Sequence, residues 1–79
     1  MSSLEAIRAM LERSGLTAYR VAVRLGRHSS YLSTMLRRGS VPSADLLAKI
    51  ASACGYDLLL VPRGGGESIE LDGGGPAAG

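Results

Sequence analysis

Residues Thr17–Gly39 read TAYRVAVRLGRHSSYLSTMLRRG, and this stretch decides the fold. Thr17 can cap a helix that runs to about Leu25, with Val21, Ala22 and Leu25 on its inner side. Gly26 closes that helix after two turns. His28 or Ser29 caps the next one, SSYLSTMLRR, whose Leu32, Met35 and Leu36 form an apolar stripe, and Gly39 ends it. Two short helices across a tight glycine turn make a helix-turn-helix when small and apolar residues sit where they cross. Ala22 falls at the crossing, where a larger side chain would push the second helix away. Gly26 follows four residues later, Leu32 six after that and Met35 three further on. An ordinary α-hairpin within a bundle is the competing reading of this spacing.

Working outward, Ser2 and Glu5 have the spacing of a capping box, and Leu4, Ile7, Met10 and Leu11 recur at helical intervals up to Gly15. On the other side SVPS is a connector, with Pro42 forcing Val41 extended. Ser43 caps a fourth helix, ADLLAKIASAC, with Leu46, Leu47, Ile50 and Ala51 inward and Gly55 at its end. Beyond it the period changes from helical to alternating. YDLLLVPR (56–63) is expected as a strand, Gly64–Gly66 as a turn, and ESIELD (67–72) as a second strand with Ile69 and Leu71 on one face. The fold class is therefore mainly α, four short helices followed by a two-stranded β-hairpin. The expected division is a helical domain over 1–55, with the helix-turn-helix at about 17–38, a hairpin over 56–72, and a flexible tail over 73–79.

The chain has 79 residues, near the lower limit for burying its own core. Hydrophobic residues make up 46% of it, with no Phe or Trp, so the core is thin and aliphatic. Chains this small draw stability from disulfides, metals or association. Cys54 is the only cysteine, which excludes an internal disulfide and reads as a small core residue. Association remains. No run is long enough to span a membrane and Glu5 stands where a signal peptide is basic, so the expected location is cytoplasmic. The net charge is +2, unevenly spread. Leu16–Val41 holds five arginines and no acid, while the remainder carries four basic and seven acidic side chains, a net of −3. That one-sided block suits an anionic partner such as a nucleic-acid backbone.

The segment LTAYRVAVRLGRHSSYLSTMLRRGSVPS resembles the core of phage-repressor and Cro-type helix-turn-helix domains, the xenobiotic-response-element class. The likeness rests on Val21-Ala22, Gly26, Ser30-Tyr31-Leu32-Ser33, and Arg38-Gly39 followed by Pro42-Ser43, and it covers roughly residues 3–55. It implies a lambda-repressor-like four-helix domain that inserts its third helix into the major groove of double-stranded DNA. Ser29, Ser30, Ser33 and Thr34 would then meet base edges. Thr17, Arg27, His28, Tyr31, Arg37 and Arg38 would meet the sugar-phosphate backbone. The chain also departs from the family pattern. Ala18 replaces a phosphate-bonding Gln, Arg27 and His28 replace an apolar residue and a Ser, and Leu36 replaces a Glu, where it either joins the core or faces a partner.

The function implied is transcriptional repression, phage-like or autoregulatory, by a homodimer on a palindromic operator, with polymerase occluded. The alternative is an antitoxin or anti-defence-associated regulator whose hairpin or helical surface binds a toxin or effector protein. No enzyme is expected: one His, one Cys and dispersed carboxylates give no nucleophile–base pair. Neither a metal nor a cofactor is expected. Strand 56–63 is apolar on both sides, Tyr56, Leu58 and Leu60 on one and Leu59 and Val61 on the other. One side must close the helical core and the other needs cover. Leu58, Leu59, Leu60 and Val61 are accordingly the expected dimer interface.

Overall fold

The computed structural model describes residues 1–73. Four helices, α1 (Ser3–Ser14), α2 (Ala18–Arg24), α3 (Tyr31–Arg38) and α4 (Ala44–Ala53), precede a two-stranded antiparallel sheet, β1 (Leu58–Leu60) and β2 (Ile69–Leu71). The expected fold class is the observed one.

Local chemistry explains most boundaries. At α1 the Ser2 hydroxyl accepts the Glu5 N–H at 3.1 Å, and Glu5 Oε1 accepts the Ser2 N–H at 2.9 Å. The Ser2 backbone bond, then its hydroxyl, holds the Glu5 carboxyl below its ordinary range. A lowered carboxyl contributes above the unfolded group's range and loses that contribution as pH falls through its own titration. Thr17 and Ser43 cap α2 and α4 by accepting the N–H groups of Arg20 and Leu46.

The turn between α2 and α3 is a Schellman motif. Arg27 N–H reaches back to Ala22 O at 3.0 Å and Gly26 N–H to Val23 O at 2.9 Å, with Gly26 at φ 72°. A Cβ added at Gly26 would meet nothing within 4 Å. The cost of Gly26→Ala is therefore purely conformational, about 1–2 kcal/mol. Urea denaturation should show that loss; an unchanged midpoint would mean that the left-handed turn is not what joins the two helices.

Ile7, Val21, Leu32 and Ile50, one from each helix, are fully buried and form the centre of the core. Met10, Ala22, Met35, Leu36, Ala51 and Cys54 complete it, and Leu4, Leu11, Leu16, Leu25, Leu46 and Leu47 pack around it. Leu36 thus joins the core. Burial pushes the Cys54 thiol up, so it behaves as an apolar residue. Two long-range bonds tie helix ends together: Arg8 Nη2 donates to Leu36 O at 3.2 Å, and Arg24 Nη1 to Ala53 O at 3.0 Å.

Three expectations need correction. The third helix begins at Tyr31 rather than at Ser29, because Ser29 and Ser30 form a turn. The strands are shorter than 56–63 and 67–72. Tyr56 N–H is taken by Ala51 O at 2.8 Å in the terminal turn of α4, and a turn closed by Gly65 N–H on Pro62 O at 3.3 Å bends the chain away after Val61. Finally Gly73, read as the start of the tail, is buried; an added Cβ would lie 2.6 Å from Lys49 Cγ and 3.3 Å from Asp45 O. The rest of the tail, 74–79, lies outside the described residues.

Candidate nucleic-acid interface

The α3 sequence, YLSTMLRR, builds the interface by turning its two sides to different tasks. Leu32, Met35 and Leu36 hold the helix to the core. At 100° per residue, Ser30, Thr34 and Arg37 fall on the opposite side, flanked by Ser33 and by Arg38. Ser33, Arg37 and Arg38 are exposed, and Thr34 is half-buried. Ser30 is exposed at the helix start, whereas Ser29 is half-buried in the preceding turn, so the structure does not align all four expected base-contacting residues on one helix face.

The helix start is fixed by a histidine. His28 Nδ1 accepts the Ser30 N–H at 3.2 Å and lies 2.9 Å from Ser30 Oγ, while Tyr31 N–H bonds His28 O at 2.9 Å. His28 thus caps from two residues before the N-cap position, holding the Ser30 N–H, and Ser30 itself makes no side-chain capping bond. Accepting that N–H uses the Nδ1 lone pair, so the proton of this tautomer sits on Nε2, an outward donor suited to a phosphate oxygen. Ser33 Oγ donates to Ser30 O at 3.1 Å, which leaves its lone pairs as acceptors. Both serines therefore present hydroxyls already oriented by a neighbour.

Around this helix the expected backbone-contacting residues divide. Arg27 lies over the Tyr31 ring, 5.0 Å from its centroid, which steadies both side chains at the turn. His28, Ser30, Tyr31, Thr34 and Arg38 line one groove of about 420 Å³. Ser40 lines it too, and the sequence reading missed this residue; its N–H, bonded to Met35 O at 3.1 Å, draws the exit loop back against α3. Arg37 stands outside the groove's lining. Thr17 sits apart at the start of α2, in a second groove of about 340 Å³ with Tyr19, Arg20, Val23 and Arg24. Arg20 had no assigned role in the sequence reading; its only signal there was membership of the basic block. Arg24 belongs to that block too, but its guanidinium is engaged by Ala53 O.

The last group, the expected dimer residues, lies in the hairpin. Leu58 is half-buried against the body, while Leu59, Leu60 and Val61 are 45, 53 and 68% exposed. Among the described residues no group of three or more His, Cys, Asp or Glu is placed to hold a metal, and no helix is long and apolar enough to cross a membrane.

A short helix, a left-handed glycine turn and a second helix presenting hydroxyls and arginines define a helix-turn-helix DNA-binding domain. The Helix-turn-helix domain family profile matches residues 5–63, well over half of the chain, and the chain belongs to that family. The match runs through β1. No curated protein and no solved structure matches the chain.

Proposed function

We propose that the protein is a transcriptional repressor of the phage-repressor and Cro type that binds a palindromic operator as a homodimer, with α3 in the major groove. One observation carries this reading: the outward side of α3 offers only short hydroxyls and arginines, within a 26-residue segment (16–41) that contains no acid. Hydroxyls read base edges weakly, while arginines fix register on phosphates. Ser30, Ser33 and Thr34 take the base-reading role, with Ser29 limited to the turn. Thr17, Arg27, His28, Tyr31, Arg37 and Arg38 take the backbone role.

The second reading, a regulator that binds a toxin or effector protein, draws on the exposed apolar residues of the hairpin. Selection of bound sites from random double-stranded DNA separates the two. The expected outcome is an enriched palindrome with half-sites about one helical turn, roughly 34–36 Å, apart. Ser30→Ala should change the preferred base at one or two positions of each half-site and leave the spacing alone. Failure to enrich any sequence at low salt would remove the repressor reading and promote the partner-binding one.

A further inference from the structure

Ser30 and Ser33 make bonds whose direction is fixed by their partners. The Ser30 backbone N–H can only donate, so His28 Nδ1, 3.2 Å away, is its acceptor and carries no proton. The Ser30 hydroxyl lies 2.9 Å from that same nitrogen and must therefore donate to it as well. A carbonyl oxygen can only accept, so the Ser33 hydroxyl gives its proton to Ser30 O at 3.1 Å. A hydroxyl has one proton and two lone pairs. Both protons are committed within the protein, and both side chains are exposed with only lone pairs to offer.

We infer that Ser30 and Ser33 read the operator through base amino groups alone, adenine N6 or cytosine N4, and that His28 imposes this restriction on Ser30. The inference rests on the DNA-binding role proposed above and names the chemistry that the site selects. The sugar-phosphate backbone of DNA presents acceptors, so a hydroxyl that can only accept has no bond to make with it. In the major groove guanine presents N7 and O6 and thymine presents O4, all of them acceptors. The adenine and cytosine amino groups are the only donors there. A guanine or thymine edge opposite either serine sets lone pair against lone pair. The two serines thus exclude bases as well as bind them, which a freely rotating hydroxyl cannot do.

The two restrictions have different origins. That of Ser33 belongs to the first turn of α3, where Ser30 O also accepts the Thr34 N–H at 2.9 Å. It lasts as long as the helix does. That of Ser30 depends on one side chain outside the helix, His28. Ala in place of His28 has no acceptor and would release the Ser30 proton. Asn would keep it, because its side-chain oxygen accepts the N–H two residues on in an Asx turn.

The test starts from an operator selected out of random DNA by the full-length chain. Each base is then replaced singly by an analogue lacking one group. Purine for adenine and 2-pyrimidinone for cytosine remove the amino groups; 2-aminopurine for guanine and 5-methyl-2-pyrimidinone for thymine remove the carbonyls. Affinities of the parent, Ser30→Ala and Ser33→Ala chains form double-mutant cycles, in which the base pairing lost with each group cancels. One amino deletion should weaken the parent about three- to tenfold more than it weakens Ser30→Ala, and a different one should do the same for Ser33→Ala. No carbonyl deletion should couple to either serine.

At each coupled position, changing adenine to guanine or cytosine to thymine, with the paired base, replaces the amino group by a carbonyl and should weaken the parent about tenfold. In His28→Ala that penalty should fall to about threefold or less at the Ser30 position alone, and in His28→Asn it should stand at both. No enriched site at low salt overturns the DNA-binding role and this inference together. An enriched site in which either serine couples to a carbonyl, or to no base group, overturns the inference alone. Equal penalties at the two positions in His28→Ala, or a His28→Asn chain that behaves like His28→Ala, overturn the role given to His28.

Discussion

Leu32→Ala is expected to lose about 2–5 kcal/mol of folding stability. Leu32 is fully buried where α3 meets the other helices, and no Phe or Trp shares the core with it. In a domain of this size each kcal/mol shifts the melting temperature by about 4–8 °C, so thermal melts followed by circular dichroism should fall by roughly 10 °C or more. The total stability of such chains is about 5–15 kcal/mol, commonly at the lower end for small cores. DNA binding should decline in parallel, because Leu32 sets α3 against α2. A melting point within about 2 °C of the parent would contradict the core described here.

The second large effect concerns affinity. Replacing both Arg37 and Arg38 with Ala should weaken binding to operator and to random DNA alike. Two lost phosphate contacts reduce the slope of log K against log salt by about 1.8, which at 0.15 M salt corresponds to roughly a 30-fold loss. Both side chains are exposed in the last turn of α3, where cations also favour the helix terminus. Binding must therefore be measured well below the melting temperature. Titrations at several salt concentrations decide the matter: an unchanged slope would mean that neither arginine meets a phosphate, and a loss confined to operator DNA would assign them to base reading.

The features legible in the sequence were those set by neighbouring residues. Ser2, Thr17 and Ser43 announced three helix starts through hydroxyls placed three residues before the N–H they accept. Gly15, Gly26, Gly39 and Gly55 announced helix ends, and all four adopt positive φ. The apolar stripes of α1 and α3 identified Ile7, Met10, Leu32, Met35 and Leu36. Features that depend on a distant residue were not legible. Arg8 had no sign of a role and Arg24 only its place in the basic block, yet their partners are carbonyls 28 and 29 residues away. His28 was legible as a cap, but the start of α3 was overextended because Ser29 and Ser30 form a turn between that histidine and the first helical residue, Tyr31. The strands were overextended because alternation continues into residues whose hydrogen bonds are used by the α4 terminus and the Pro62 turn. Of the candidate interface, the composition was readable from the basic block, but the grouping of Ser40 with Arg38 and the diversion of Arg24 required the folded chain.

The hairpin enters and leaves the body at opposite ends of one helix. Tyr56 N–H holds its entry to the last turn of α4 at 2.8 Å, and Gly73 presses its exit onto Asp45 and Lys49 near the first. An arm strapped along a helix in this way is a bracket rather than a hinge. In a dimer joined through such arms, the distance between the two recognition helices is a property of the polypeptide. One base pair inserted between half-sites turns one of them by about 34–36°, and a bracketed arm has no joint with which to follow it. Under the proposed function, the letters of each half-site would then drift far more readily than the length between them.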